Sequence, residues 1–209
     1  MRFLPNQIIF LKNSPKIAQL EKLKSKILSY TNVPEAVLEE EMRYYEHLEL
    51  KKGDTLVTPG QFVHHFYYVA TGCIYYYKLE DGEQKVMEFY TEDVFFTDLP
   101  AYVKGTPSNY YLKASEKSLV YAVKKSDAEN SFKKSHELER FGRLSMQEAF
   151  MKIFTRVERL NSRTNEERYL RLMEKRPDLF QRVPQYLIAS YLGITPVGLS
   201  KLRKRLGKG

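Results

Sequence analysis

From Glu46 to about Lys124 the chain is cut every seven to twelve residues by turn-forming clusters: "KKGD", "TPGQ", "ATGC", "LEDGEQ", "YTED" and "KGTPSN". Between the cuts lie short runs rich in Val, Ile, Phe and Tyr. β-Branched and aromatic side chains favour strands, while Gly, Pro, Asp and Asn punctuate them. Short runs at this spacing indicate a compact all-β unit: a roll, barrel or sandwich. Inside it, "IYYYKLEDGEQKVMEFY" reads as a hairpin that turns at Asp81-Gly82.

Helical texture flanks this unit. "PKIAQLEKLKSKILSY" sets Ile17, Leu20, Leu23, Ile27 and Leu28 on one face, with Pro15 near the start. "TNVPEAVLEEEMRYY" offers a second start, with Asn32 as cap and Pro34 in the first turn. After the β unit, Ser126 to Ser131 reads as a short helix and Ser135 to about Leu160 as one long one. The long helix carries two apolar stripes. Met146, Ala149, Phe150, Ile153, Val157 and Leu160 form the first; Phe141, Leu144, Met151 and Phe154 lie beside them. One stripe suffices for a surface helix, so a second calls for a second partner. A subunit seam through Phe150, Ile153 and Val157 is expected; burial of the whole helix in one subunit is the alternative. A further helix follows, capped by Thr164 or Asn165 and ended by Arg176-Pro177. The expected division is therefore 1–133 for helices plus β unit, 134–162 for the long helix and 163–209 for a C-terminal helical domain.

Charge is unevenly spread. Residues 151–209 hold 14 Lys and Arg against 5 Asp and Glu, whereas residues 1–150 hold 20 against 21. Of the net +8, the whole excess thus sits at the C-terminal end, which fits a polyanion-binding end on a neutral body. No apolar run approaches the ~20 residues that span a bilayer. "MRFLPNQIIFLKNSPK" lacks a small-residue cleavage site, so the expectation is a cytoplasmic protein without membrane contact. Cys73 is the only cysteine, which excludes an intrachain disulfide, a thiolate zinc site and a cysteine-held iron–sulfur cluster.

The basic end closes with "VPQYLIASYLGITPVGLSKLRKRLG". Gln185 to Leu192 reads as one helix, with Leu187, Ile188, Ala189 and Leu192 inward. Gly193 stands where a tight turn needs positive φ, Ile194 plugs the turn, Thr195 is an N-cap and Pro196 the first helical residue. Leu199, Leu202 and Leu206 make the inner stripe of a second helix. Its other face presents Val197, Lys201, Lys204 and Lys208, flanked by Ser200, Arg203 and Arg205. This is a helix-turn-helix pattern, whose second helix is free to enter a major groove. An ordinary helical hairpin has the same spacing; the local charge favours DNA.

At this point the chain resembles the bacterial Crp-Fnr transcription regulators, named for the cyclic-AMP receptor and the fumarate-nitrate regulator. "KKGDTLVTPGQFVHHFYYVATGCIYYYKLEDGEQKVMEFYTED" resembles the first half of their cyclic-nucleotide-binding β-roll, and "RVPQYLIASYLGITPVGLSKLRK" resembles their helix-turn-helix. The resemblance implies an α+β architecture. A β-roll of the double-stranded β-helix kind, with flanking helices, precedes a long dimerisation helix and a winged-helix-like C-terminal domain. It implies a homodimer on double-stranded DNA, with RNA polymerase as a further partner, and an unknown small-molecule effector or none. Gln185, Thr195, Pro196, Val197, Ser200, Lys201, Arg203, Lys204 and Arg205 become the expected DNA-binding set. Pro196, Val197 and Lys201 fall on the family's main base-contacting positions. The wing hairpin is shortened here to "RPDLFQRV".

The sequence departs from that family where nucleotide-binding members carry a Gly-Glu pair and, about ten residues on, an Arg-Ser or Arg-Thr pair. Thr97-Asp98 and Ser108-Asn109 stand there instead, and no arginine occurs between Arg43 and Arg140. Asp98 would repel a phosphate, so no cyclic-AMP binding is expected, and no cofactor is. Tyr75, Tyr77, Phe89 and Tyr110 could line an effector pocket with Thr97, Asp98, Ser108 and Asn109, but core packing is the favoured role of these aromatics. A cupin-like enzyme needs converging histidines. Neighbours such as His64 and His65 point to opposite faces of a strand, and His136 lies outside the β unit, so no metal site is expected. The other alternative is a ligand- or protein-binding roll whose helical tail has lost DNA affinity, which Val197-Gly198 keeps open.

Overall fold

Strand runs of three to eight residues build two four-stranded antiparallel sheets facing each other. The computed structural model describes residues 17–207. One sheet orders β1 (Glu46–Leu50), β8 (Ser118–Lys124), β3 (His65–Thr71) and β6 (Val94–Phe96). The other orders β2 (Thr55–Val57), β7 (Tyr111–Ala114), β4 (Ile74–Glu80) and β5 (Glu83–Tyr90). Asp81 and Gly82 join β4 to β5 with φ of 52° and 78°, the left-handed pair that a tight hairpin needs. A register shift in β4–β5, where Tyr76 pairs with Glu88 and Tyr77 with Val86, leaves Met87 bulged.

The helices α1 (Ile17–Leu28) and α2 (Glu35–Met42) precede the sheets. Leu23 and Ile27 of α1 are fully buried, but Leu28, expected on the same face, is 42% exposed because it ends the last turn. Asn32 does not cap α2: the helix starts after Pro34, with no side-chain cap. A short α3 (Leu99–Lys104) lies between β6 and β7. α4 (Lys125–Lys134) runs directly out of β8, and α5 (His136–Ser162) begins at Ser135, whose hydroxyl accepts from the Leu138 N–H at 3.2 Å.

The C-terminal part is α6 (Asn165–Lys175), the single turn α7 (Leu179–Arg182), α8 (Gln185–Leu192) and α9 (Pro196–Arg205). Thr164 and Glu167 close a capping box at the start of α6. The expected winged-helix likeness needs correction. The segment "RPDLFQRV" holds the helical turn α7, and no strand follows β8 among the described residues.

Two apolar cores result. The first fills the roll with Leu48, Tyr68, Phe96, Leu112 and Tyr121, and takes in Leu23 of α1 and Phe141 of α5. The second lies on the outer face of β4 and β5. There Cys73, Tyr75, Tyr77, Val86 and Phe89 meet Tyr169, Leu172, Leu187, Ile188, Leu199 and Leu202 from α6, α8 and α9. The C-terminal helices are thus built onto the roll, with its sheet as one wall of their core. No helix among the described residues is long and apolar enough to cross a membrane.

Candidate nucleic-acid interface

The α8–α9 pair is shaped by its turn. Gly193 takes φ 71° and ends α8, and the Ile194 N–H returns to the Ala189 carbonyl at 3.0 Å. The Thr195 hydroxyl then accepts from the Gly198 N–H at 3.0 Å, and Pro196 opens α9 with a φ already helical. Leu187, Ile188, Ala189 and Leu192 of α8 are buried, as are Leu199 and Leu202 of α9. That packing turns the other side of α9 outward. Gln185, Thr195, Pro196, Val197, Ser200, Lys201, Lys204 and Arg205 are all exposed, with Val197 at 64%. Arg203 is half-buried, and Arg205 forms an ion pair with Glu166 of α6. Lys208 lies outside the described residues.

The start of α9 also faces the β4–β5 turn. A groove of about 920 Å³ runs between them, lined by Glu83 and Lys85 on one side and Thr195, Pro196 and Lys201 on the other. Ser190 of α8 fixes this juxtaposition: its hydroxyl donates to the Gln84 carbonyl at 2.6 Å and accepts from the Val86 N–H at 2.9 Å. Ser190 was not distinguished by sequence, since a lone serine on a helix carries no spacing signal.

The expected effector-pocket residues do not all come together. Tyr75, Tyr77 and Phe89 lie in the second core, under the C-terminal helices, with Phe89 5.2 Å from the Tyr191 ring. Alternation along β4 explains the correction: Tyr75 and Tyr77 share one face, and Tyr76 takes the other. Asn109 is exposed. Thr97, Asp98 and Ser108 are buried, and Tyr110 is half-buried over the ring of Tyr76 at 4.6 Å.

Asp98 is the centre of that interior group. It is 1% exposed and caps α3 by accepting from the Ala101 N–H. The Tyr76 hydroxyl donates to Oδ1 at 3.0 Å, and the Ser108 hydroxyl lies 2.5 Å from Oδ2. Burial and, after it, the Asp98 carboxylate push the Tyr76 phenol well above its usual range. The Thr97 hydroxyl donates to the His65 carbonyl at 2.9 Å. Tyr76 is the member that sequence reasoning missed. Its signal was the alternation itself, which separates it from both neighbouring tyrosines. Among the described residues no three His, Cys, Asp or Glu side chains are grouped to hold a metal ion.

Residues 47–135 match the family model of the cyclic nucleotide-binding domain. No curated protein sequence matches the chain significantly. Among solved structures, FixK2 from Bradyrhizobium japonicum superposes with a TM-score of 0.66 at 18% identity, over 78% of this chain and 84% of that one. CLP from Xanthomonas campestris, a c-di-GMP-responsive global regulator, gives 0.65 at 15% identity, over 83% and 92%. DNR from Pseudomonas aeruginosa, a transcriptional regulator, gives 0.52 at 18% identity, over 94% and 89%. At these identities the likeness is one of fold.

Proposed function

We propose that this chain is a sequence-specific DNA-binding transcription regulator of the Crp-Fnr type, acting as a homodimer and without enzymatic chemistry. The observation that carries the reading is the outward face of α9, where Val197, Ser200, Lys201 and Lys204 stand exposed above buried leucines. The N-terminal end of such a helix enters a major groove, and its basic flanks neutralise phosphates. Regulators among its structural neighbours, CLP and DNR, support the same role. In this reading Val197 touches a thymine methyl and Lys201 donates to guanine.

The dimer seam runs along α5. Phe150, Met151, Phe154 and Val157 are each 48–57% exposed on one side of that helix, and Ile153 is half-buried beside them. Two copies pairing there would set two α9 helices in successive grooves about one turn of DNA apart.

The roll interior takes no cyclic nucleotide in this reading. Ser108 stands where nucleotide-binding members carry their phosphate-binding arginine, and its hydroxyl is already bonded to Asp98, which also holds Tyr76 and the Ala101 N–H. Calorimetric titration with cyclic AMP should give no saturable heat, and micromolar binding would remove this part of the proposal.

Selection from random double-stranded DNA tests the whole. It should enrich an inverted repeat, and affinity should fall by about 0.9 log units per log unit of salt for each phosphate neutralised. Lys201→Ala should cost about 1–3 kcal/mol at one base position and relax specificity there. No enrichment of any sequence would favour the second reading, a protein- or ligand-binding roll; the apolar Val197 and helix-weakening Gly198 at the groove-facing end are what favour it.

A further inference from the structure

A second concave site lies outside the roll. A cavity of about 350 Å³ opens between β5, the second half of α5, and α6 with α8. Among the described residues six cations line it: Lys152 and Arg156 from α5, Arg168, Arg171 and Lys175 from α6, and Arg176 just after it. The one carboxylate in the lining among the described residues, Glu88, is already paired with Arg176 at 3.1 Å. Lys152 and Lys175 pair with Glu148 and Glu174, which stand outside the lining.

Arg156 is the buried cation of the set, and no carboxylate pairs with it among the described residues. It is only 8% exposed, and its partners among the described residues are neutral: Nη2 donates to the Val86 carbonyl at 2.7 Å, and the guanidinium lies 4.1 Å from the Tyr191 ring centre. Its Nε is buried with no hydrogen-bond partner among the described residues. Arg168 spends its Nε on the Leu192 carbonyl at 3.0 Å. A buried guanidinium with an unmet donor is costly unless an acceptor arrives. Phe89, Leu172 and Leu192 supply apolar wall beside the charges, as small-molecule sites do.

We propose that this cavity binds a small, multiply charged phosphate ester, of the nucleoside diphosphate class. Arginine forks suit phosphate oxygens, and a diphosphate carries the charge that several cations call for. The size of the cavity falls within the range of ligand pockets, roughly 300–1,000 Å³. Lys152 and Arg156 project from the side of α5 opposite Phe150, Phe154 and Val157, at ~100° per residue, so the cavity stays open if α5 pairs with a second copy. A ligand there would tie the roll, α5 and the C-terminal helices together. Its effect on the position of α9 matters for DNA only if the regulator reading holds; the binding itself does not depend on it.

The test is calorimetric titration of inorganic pyrophosphate and of ADP into the full chain at low salt. Both should bind saturably at one site per chain. Arg171→Ala, at a half-buried side chain whose loss leaves the core intact, should weaken both by about tenfold or more. Lys201→Ala should leave both affinities unchanged, whatever it does to DNA. Absence of saturable heat from either anion overturns the proposal. So does an affinity that Arg171→Ala leaves unaltered, which would move the site elsewhere. If neither anion binds and Arg171→Ala instead weakens DNA, the cations are backbone contacts and the cavity is not a ligand site.

Discussion

At the residue scale, the partners of a buried carboxyl group decide what its loss does. Asp98 holds three donors, so Asp98→Ala should cost about 3 kcal/mol in denaturant unfolding, and Tyr76→Phe about 1 kcal/mol. Glu41 is the converse case. It is 2% exposed, its Oε2 lacks a hydrogen-bond partner among the described residues, and burial raises its carboxyl above the ordinary range. The fold therefore favours the protonated acid. That contribution is full below the unfolded value of about 4.3 and is lost as pH rises through the higher folded value. Glu41→Gln should then be the more stable protein at pH 8 and gain nothing at pH 4, as read from melting midpoints. The same burial pushes the Cys73 thiol up to about 11. Thiol reagents should leave it untouched until the chain unfolds. Which residues would be buried was legible from composition and spacing; which core each would join was not. "IYYYK" shows no polar alternation because both faces of β4 are covered, one by the roll and one by helices.

At the scale of elements, the sequence was most readable where local chemistry decides. The turn at Asp81-Gly82, the Thr164 cap and the Gly193–Pro196 junction each depend on backbone angles or on a hydroxyl three residues from its donor. They need nothing from the rest of the chain. The long helix shows the limit. Its two stripes were visible, but their sorting depended on what packs against them: Phe141 went into the roll core, while Met151 and Phe154 joined Phe150 and Val157 outside. On the dimer reading, Phe154→Glu places a charge in the seam. Sedimentation at micromolar concentration should show a dimer for the parent chain and a monomer for this variant. A parent chain that sediments as a monomer removes the seam. The cation-lined cavity was invisible at this scale, since its six basic residues come from separate helices and look like solvated surface in sequence.

At the scale of the molecule, the C-terminal helices are fastened to the roll by more than apolar contact. Arg182 reaches Glu92 at 2.7 Å and Glu116 at 2.6 Å, both in loops of the β unit. Arg176 donates to the Phe89 carbonyl at 2.9 Å, and Ser190 bridges Gln84 and Val86. Phe89 sits at 2% exposure between the two parts, so Phe89→Ala should cost about 3–5 kcal/mol. Hydrogen exchange should then rise together in β5 and α8; a change confined to β5 would mean that the parts open separately. The charge asymmetry and the turn spacing announced two regions of different texture, yet neither pattern encodes a surface that both must share. That shared wall bears on interchangeability. Exchanging α6 to α9 with the equivalent helices of a relative would strand Tyr75, Tyr77 and Phe89 against a foreign surface. A working chimera would have to carry the outer half of the β4–β5 hairpin along with α6 to α9, so inheritance and engineering alike should treat that hairpin as part of the C-terminal unit.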